Sequence, residues 1–453
     1  MNYETEVLVI GGGNAGCAAA IAAARNGARV MLVERYGFLG GTATAALVGP
    51  WMTFHAGKER VVGGIAQEIV ERLVAMGASP GHVEDASSYV PTITPFDAEY
   101  HKALLFEMME EAGVRLLLHA LFVEAAVETS AEGKQVTGAV FQTLSGRREV
   151  SAQRVIDATA DAHVSAAAGV PFQVGDEREG LVQPVTMIFR LSHVDLDETA
   201  AYLREHPDQI RTHLAPEQFS SATLTAVAGF WNEWRQAREA GEVHIQREIV
   251  SFFASPYPDE VVVNMTRVVR INPLDADDLT RAEVEARRQV MELVRFFKSR
   301  IPGFGRARLA GTATQVGIRE TRRIVGDYML TAEDLLIARK FPDAIARSGY
   351  PIDIHNPKGE GTVTKRLPPG ETYQIPYRCL LPHGIENLLV AGRCISTTHE
   401  AVASTRLTPT VMTIGQAAGT AAALSLREGV TPRRLDVVRL RETLIEQGVD
   451  LRR

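Results

Sequence analysis

The sequence predicts an α/β fold in which a Rossmann-type domain, with a parallel sheet, helices and a small antiparallel sheet, receives an inserted α+β domain. An apolar strand over residues 6–10 runs directly into a glycine-rich turn and an alanine-rich helix. Much later, an apolar strand over 387–393 reaches a glycine and is followed by a helix of small residues. Between them, from about residue 172, short strands and one long helix change the pattern. A discontinuous first domain around an inserted one accounts for this order.

The first turn has the spacing of a dinucleotide-binding fingerprint. Gly11 permits a tight turn, Gly13 lets a pyrophosphate approach the backbone, and Gly16 lets helix and strand pack closely. The helix that follows offers free N–H groups and its positive dipole end to the pyrophosphate. Glu34 ends the second strand, about 20 residues further on, where an acid holds ribose hydroxyls. A tight turn without a ligand is the alternative. The predicted dinucleotide contacts here are Gly11, Gly13, Asn14, Ala15, Gly16 and Glu34.

The run after Glu34 distinguishes between cofactors. Residues 35–44 form a loop with paired glycines and two threonines, which suits a backbone passing close under a large planar ligand. Here the chain resembles the FAD-dependent oxidoreductases related to the flavoprotein subunits of fumarate reductase and succinate dehydrogenase, in their broad bacterial branch. The resemblance implies FAD as the cofactor. It adds contacts from Arg35, Gly40, Gly41 and Thr42.

The resemblance extends over nearly the whole chain. Its further motifs are 63–64, 157–161, 183–184, 264–267, 317–323 and 391–419. In the resembled family, the late helix of small residues, with Thr408 as its expected cap, points its N-terminus at the pyrimidine end of the flavin. A packing helix without a ligand role is the alternative. The additional FAD contacts that the resemblance implies are Val123, Ala158, Asp161, Gly392, Arg393, Thr410 and Val411.

Three departures from the family pattern affect the prediction. Relatives usually have glycine where this chain has Ala160, which questions how closely the backbone approaches the cofactor there. No histidine stands at the start of the 37–44 loop, where some relatives attach FAD covalently, so non-covalent FAD is predicted. The family's full set of acid, arginine and histidine for succinate or fumarate is not found, and dicarboxylate activity stays open.

The composition indicates an ordinary globular protein. Its 453 residues are 45% hydrophobic and 23% charged, and the chain is long enough for two domains. A formal net charge of −7 gives no reason to expect nucleic acid or an anionic membrane as a partner. Cys17, Cys379 and Cys394 fall in no ligand or redox spacing, so no metal site is predicted. The first strand leaves no room for a signal peptide, and no apolar run is long enough to span a bilayer. We therefore expect a cytoplasmic protein.

The cofactor domain is predicted to be discontinuous, with a second domain that covers the outer face of the cofactor and shapes a small-molecule pocket at the interface. The FAD-binding parts are 1–175, 305–334 and 381–453. The substrate-side parts are 176–304 and 335–380. Three short antiparallel strands are expected within the first part, over 122–128, 135–144 and 149–155.

Three residues are candidates for catalysis. If 317–323 is helical, its arginines share one face, and Arg319 can grip a carboxylate there; a salt-bridged face is the alternative. His399 is placed to move a proton near neutral pH, or to be hydrogen-bonded in a loop under the cofactor. Arg406 precedes the late helix and is placed to bind an anionic group, with a loop salt bridge as the alternative. Asn264 and Arg267, on a strand of the inserted domain, are further candidates for facing the substrate, and solvent exposure is the alternative.

These observations predict an FAD-dependent oxidoreductase that transfers a hydride between the flavin and a small organic substrate. The flavin carries out the redox step, and the protein supplies position, electric field and protons. A separate protein that donates or accepts electrons is a candidate partner. Two alternatives stay open. One is a flavin monooxygenase that uses NAD(P)H and oxygen, and the other is an FAD-binding electron-transfer subunit without turnover of its own.

Overall fold

The computed structural model describes residues 2–130 and 133–452 and confirms the predicted α/β fold class. The helices are α1 (Asn14–Arg25), α2 (Thr42–Ala45), α3 (Gly64–Ala75), α4 (Ala98–Glu111), α5 (His163–Ala167), α6 (Leu196–Glu205), α7 (Trp231–Glu239), α8 (Ala276–Arg300), α9 (Ala332–Leu336), α10 (His399–Thr405), α11 (Thr408–Arg427) and α12 (Val437–Glu446). Within the described residues, no helix combines the length and the apolar character needed to cross a lipid bilayer.

The strands lie between these helices, either singly or in groups. The first twelve strands in chain order are β1 (Tyr3–Ile10), β2 (Val30–Val33), β3 (Trp51–Met52), β4 (His55–Ala56), β5 (Glu59–Arg60), β6 (Val83–Glu84), β7 (Thr92–Thr94), β8 (Arg115–Leu117), β9 (Leu121–Ser130), β10 (Gly133–Thr143), β11 (Gly146–Asp157) and β12 (Phe172–Val174). The remaining strands are β13 (Phe189–Ser192), β14 (Ala226–Gly229), β15 (Val250–Ala254), β16 (Glu260–Val263), β17 (Arg308–Thr312), β18 (Arg322–Ile324), β19 (Ala344–Ser348), β20 (Ile352–His355), β21 (Thr362–Lys365), β22 (Tyr373–Pro376) and β23 (Leu388–Val390).

The main sheet joins a parallel part to an antiparallel part through β11. The parallel part has the order β8, β2, β1, β11 and β23. β10 and β9 continue from β11 in the antiparallel sense. Residues 146–151 of β11 pair with β10, and residues 155–157 pair with β23 on the same edge. The strand predicted over 149–155 is therefore too short, because one twelve-residue strand serves both parts of the sheet.

Helices α1 and α11 lie against each other because both are rich in small residues. A Cβ on Gly415 would lie 2.0 Å from the carbonyl oxygen of Ala15, and one on Gly419 would lie 2.0 Å from that of Ala19. The two helices therefore run in the same direction in direct backbone contact. The start of α1 at Asn14 therefore lies beside Ile414, and the part of α11 from Thr408 to that point extends beyond the start of α1.

A five-stranded antiparallel sheet, in the order β14, β15, β16, β13 and β17, builds the second core. Helices α6, α7 and α8 pack on this core, with Trp234 and Phe297 buried between them and the sheet. Its buried apolar residues lie between Val185 and Val316, whereas those of the first core come from both sides of that region. The domain boundaries predicted from the sequence stay a prediction.

Candidate functional site

A chamber opens between the two cores, at the carboxyl ends of β1, β2 and β11. It contains about 1890 Å³ of empty space, part of it open to solvent. Its lining runs from the first turn at Gly13 to Phe253 and Asn264, so the chamber reaches from one core to the other. Its position is the edge of a parallel sheet at which α/β folds bind ligands.

Most of the predicted cofactor residues line this chamber. They are Gly11, Gly13, Asn14, Ala15, Glu34, Arg35, Gly41, Thr42, Ala158, Asp161, Gly392, Arg393 and Val411. Gly16 and Gly40 belong to the same turn and loop but lie outside the chamber lining. Val123 is 41% exposed, and its neighbours Leu121 and Phe122 line the chamber instead. The roles of all these residues in binding stay predictions.

The glycines of the first turn have the geometry that the fingerprint requires. Gly11 has a φ of +106°, and a Cβ there would lie 2.4 Å from the carbonyl oxygen of Ala158. A Cβ on Gly16 would lie 1.8 Å from the carbonyl oxygen of Gly11. At Gly13, by contrast, the nearest described atom to a Cβ would be 3.8 Å away, at Gly41. The space beside Gly13 is thus left open on the chamber side, as a bound pyrophosphate requires.

Two helices begin at the chamber with free N–H groups. Gly13 caps α1 and Leu407 caps α11, and neither residue has a side chain that accepts a hydrogen bond from the first N–H groups of its helix. The prediction of Thr408 as the cap is therefore wrong, because Thr408 is already helical. The first N–H groups of a helix have no partner within the helix, so these two starts can donate to an anionic ligand. Thr410 does not line the chamber, and its hydroxyl donates to Ser348 Oγ at 3.2 Å.

Glu34 follows β2 and is held by the backbone on two sides. Its Oε2 accepts from the N–H of Gly12 at 2.5 Å, and its Oε1 accepts from the N–H of Tyr36 at 2.9 Å. A carboxylate has about four acceptor positions, so two remain for ribose hydroxyls. The loop beyond Glu34 is fixed to the turn, since the N–H of Gly40 donates to the carbonyl oxygen of Gly12 at 2.8 Å.

Asp161 and Arg393 form a buried ion pair in the chamber wall. Thr321 donates a hydrogen bond of 2.8 Å to the same carboxylate. Burial of Asp161 opposes its ionisation, but the charges of Arg393 and His163 outweigh this effect and lower its pKa. The neighbouring Ala160 has a φ of +66°, so it adopts the left-handed conformation that glycine favours.

Arg319 and Arg406, two of the predicted catalytic residues, both line the chamber. Arg319 donates to the carbonyl oxygen of Pro184 and, at 2.8 Å, to Thr186 Oγ1. Arg406 donates to Gln183 Oε1 at 3.4 Å. Each guanidinium has five N–H donors, so both keep donors for a ligand in the chamber.

The charge of this wall is dominated by arginine. Burial lowers the pKa of Arg319, and the charges of Arg406, Arg247 and Arg267 lower it further, while Asp353 opposes the shift. Burial of Asp353 favours its neutral form, but His355 and Arg406 prevail and hold its pKa below the usual range. Arg319 and Arg406 thus face the chamber close to further positive charge. An anionic ligand would relieve their mutual repulsion.

Asp353 connects two more polar residues of the chamber wall. It accepts a hydrogen bond from the Tyr350 hydroxyl at 3.4 Å, and its Oδ2 lies 3.4 Å from His355 Nε2. Burial lowers the pKa of His355 to about 3, so the ring is neutral. Since an ionised carboxylate only accepts, Nε2 carries the proton and Nδ1 keeps the lone pair, 3.2 Å from the Thr362 hydroxyl.

Tyr350, Asp353 and His355 also line the chamber, and none of them was predicted from the sequence. One local signal was available. In β20, two polar residues alternate with two isoleucines, which places Asp353 and His355 on the same face of the strand. The chain gives no local sign, however, that this short strand lies next to Arg319 and Arg406.

The helical interpretation of 317–323 is wrong. The segment is extended or irregular and leads into β18, so successive side chains point in different directions. Arg319 faces the chamber, whereas Arg323 is buried and pairs with Glu320 Oε2 at 3.0 Å. His399 Nδ1 lies 2.9 Å from the same oxygen and does not line the chamber. His399 is the first residue of α10 and not part of a loop, and its catalytic role stays a prediction.

Asn264 lines the chamber, as expected for a substrate-facing residue. Its carbonyl oxygen accepts a hydrogen bond of 2.5 Å from Arg247. Arg247 also donates to the carbonyl oxygen of Met265 at 3.1 Å, so its guanidinium is held against the backbone of this segment. The segments directly before β15 and after β16 thus contribute a polar side chain of the chamber lining and part of the positive charge near Arg319.

Comparison with known proteins agrees with this geometry. A family model described as FAD dependent oxidoreductase matches residues 6–444, which is nearly the whole chain. None of the curated proteins compared with the chain matches it. The family match supplies the cofactor chemistry that the shape of the chamber alone leaves open.

Several solved structures resemble the chain at low sequence identity. A geranylgeranyl bacteriochlorophyll reductase-like protein from Thermoplasma acidophilum has a TM-score of 0.49 and 12% identity, over 99% of this chain and 84% of that one. A p-nitrophenol 4-monooxygenase from Pseudomonas putida DLL-E4 has a TM-score of 0.49 and 12% identity, over 98% and 86%. The flavin-dependent brominase Bmp2 has a TM-score of 0.44 and 14% identity, over 98% and 83%. Similarity this distant carries no argument about the reaction.

Proposed function

The chain belongs to the family of FAD dependent oxidoreductases, and from this premise we propose that it transfers a hydride between FAD and a small organic substrate that carries an anionic group. The predicted cofactor, FAD, is confirmed by the family match, and the protein is an oxidoreductase. The dehydrogenase or reductase type and the non-covalent attachment of FAD are parts of the proposal. So are a closer relation to the fumarate reductase branch and a separate electron donor or acceptor.

The described residues fit the parts of FAD. The open space beside Gly13 and the free N–H groups of α1 suit the pyrophosphate, and Glu34 suits the ribose. The uncapped start of α11 suits an electron-rich edge of the ring system. When bound, the flavin supplies the two-electron chemistry.

The observation that carries the substrate proposal is the pair of arginines in the chamber wall. Arg319 and Arg406 are both half-buried, and Arg319 has more positive than negative charge nearby. Guanidinium groups bind carboxylates and phosphates through paired hydrogen bonds, and they remain charged. We therefore assign the anionic group of the substrate to these two side chains.

His355 is the proton acceptor in this proposal. Its neutral ring lines the chamber, and Asp353 holds the proton on Nε2, so the lone pair is on Nδ1, where the substrate would replace the Thr362 hydroxyl as the hydrogen-bond partner. A base near 6 or 7 suits proton transfer at neutral pH, and an anionic ligand beside His355 would raise its low pKa toward that range. This role replaces the one that the sequence suggested for His399.

The test is anaerobic reduction of the FAD-loaded protein by paired compounds. We expect hydroxy or amino carboxylic acids to bleach the flavin absorbance and their methyl esters to do so at least 100-fold more slowly. Arg319→Ala and Arg406→Ala should each remove this preference for the acid. Arg308→Ala, an exposed arginine of β17, is the control and should keep it.

Two results would contradict the proposal. Equal rates of flavin bleaching with the acids and with their esters would show that the substrate needs no anionic group. Fast reduction by NAD(P)H with no reaction of any acid, followed by a peroxyflavin absorbance in air, would favour the monooxygenase alternative.

His355→Gln should lower the rate of bleaching while leaving the affinity for the acid within about threefold.

A further inference from the structure

A fully buried histidine lies directly behind the cofactor turn. His101, on α4, is 0% exposed, and its Nε2 is 2.8 Å from Asn14 Oδ1. Its ring contacts the edge of Trp51 at a centroid distance of 5.0 Å and that of Phe96 at 5.7 Å. Asn14 is the first residue of α1 and lines the chamber.

The hydrogen bonds of Asn14 determine which atom donates in this pair. Asn14 Nδ2 donates to the carbonyl oxygen of Gly40 at 2.9 Å. The amide oxygen therefore faces His101, which must donate from Nε2. The other ring nitrogen, Nδ1, is buried and has no hydrogen-bond partner among the described residues. A second proton there would create a buried charge without an acceptor, so the ring stays neutral.

This bond begins a continuous series of hydrogen bonds that ends at the ribose-binding acid. His101 donates to Asn14, and Asn14 donates to Gly40. The N–H of Gly40 donates to the carbonyl oxygen of Gly12 at 2.8 Å, and the N–H of Gly12 donates to Glu34. The series links α4, the first turn, the following loop and the end of β2.

We propose that His101 is a positioning residue for FAD, which fixes the Asn14 amide and thereby holds the first turn and the loop at Gly40 in the binding geometry. His101 touches neither the chamber nor the cofactor position. It acts because Asn14 cannot rotate while its oxygen is held by one neighbour and its nitrogen by another. The inference rests on the cofactor and not on the proposed substrate, so its test needs no turnover.

The experiment is titration of the FAD-free protein with FAD, followed by flavin fluorescence. His101→Leu should raise the Kd at least tenfold, because a buried amide oxygen loses its donor and the amide can turn. His101→Gln places an amide nitrogen near the position of Nε2, so it should stay within about threefold of wild type. In an Asn14→Ala background, His101→Leu should add less than twofold, since both changes break the same connection.

A second histidine is the matched control. His82 is partly buried and bonds to Thr94 and Gln67 at 2.8 and 2.9 Å, outside the series. His82→Leu should lower the melting temperature of the FAD-free protein and leave the Kd unchanged. An unchanged Kd in His101→Leu, additive effects with Asn14→Ala, or a failure of His101→Gln to retain affinity would each overturn the proposal. If His101→Leu does not fold, a tenfold loss in Asn14→Ala and retention in His101→Gln decide the question.

Discussion

Gly13 and Gly16 are three residues apart in the first turn, but their surroundings differ. Gly16→Ala would place a methyl group 1.8 Å from the backbone oxygen of Gly11, whereas Gly13→Ala would extend into the open chamber. We expect Gly16→Ala to destabilise the FAD-free protein by about 2 kcal/mol or more. Gly13→Ala should change its stability by no more than about 1 kcal/mol and yet weaken FAD binding more than tenfold. Urea unfolding and FAD titration of both variants separate these effects. Normal FAD binding in Gly13→Ala would contradict the assigned position of the pyrophosphate.

At Ala160 the reverse substitution, alanine to glycine, tests the strain of the backbone. Its φ of +66° is unfavourable for any residue with a Cβ, and the side chain is only half-buried. Ala160→Gly should therefore raise the free energy of unfolding by about 0.5–1 kcal/mol, although glycine in place of alanine usually lowers it. Denaturant unfolding of the FAD-free protein measures the change. A loss of stability would show that the methyl group contributes packing that outweighs the backbone strain.

Residues with a local signal were predictable, and residues brought together by the fold were not. The glycines of the first turn and Glu34 follow a fixed spacing within one strand–turn–helix unit, so the sequence alone located them. Asp353 and His355 come from a short strand far along the chain, and their function depends on Arg319 and Arg406 as neighbours. His399 illustrates the same limit, because its partner Glu320 is 2.9 Å away in space but distant in sequence.

At the scale of elements, the contact between α1 and α11 gives a prediction with an unusual sign. Glycine to alanine inside a helix normally stabilises by about 1 kcal/mol. Gly419→Ala should instead destabilise by about 2 kcal/mol or more, because the new methyl group would lie 2.0 Å from the carbonyl oxygen of Ala19. Gly305→Ala, with no described atom within 4 Å of the new Cβ, is the control and should be nearly neutral. Thermal unfolding of both variants provides the comparison, and a stabilised Gly419→Ala would refute the close contact.

Two elements show why some boundaries could not be read from the sequence. β11 changes its neighbour from β10 to β23, so residues 146–154 are partly exposed and only residues 155–157 are continuously buried. Because the two parts have different patterns of apolar residues, the sequence predicts two strands where the structure has one. The 317–323 segment has helical spacing of its arginines, but the pairing of Gly317 with Thr186 and of β18 with β12 holds it in an extended path.

At the scale of the whole molecule, a buried histidine makes stability depend on pH. The usual pKa of histidine is 6.5, and burial lowers that of His101 to about 3. Below pH 6.5 the unfolded chain binds a proton that the folded protein excludes, so stability falls as the pH falls. The loss for this group is about 1.4 kcal/mol per pH unit down to its folded pKa. Urea unfolding at pH 6, 5 and 4.5 should therefore show a slope that is smaller by this amount in His101→Gln. Equal slopes would mean that His101 titrates normally in the folded state.

The shared edge of β11 also has a consequence for biosynthesis. Residues 155–157 pair with a strand that leaves the ribosome more than two hundred residues later. At usual rates of synthesis, these backbone groups wait on the order of ten to forty seconds for their partner. During that interval the nascent first domain presents an apolar, unsatisfied border, the kind of surface on which chains associate wrongly. This border is covered only when the last part of the chain, with β23, has been made.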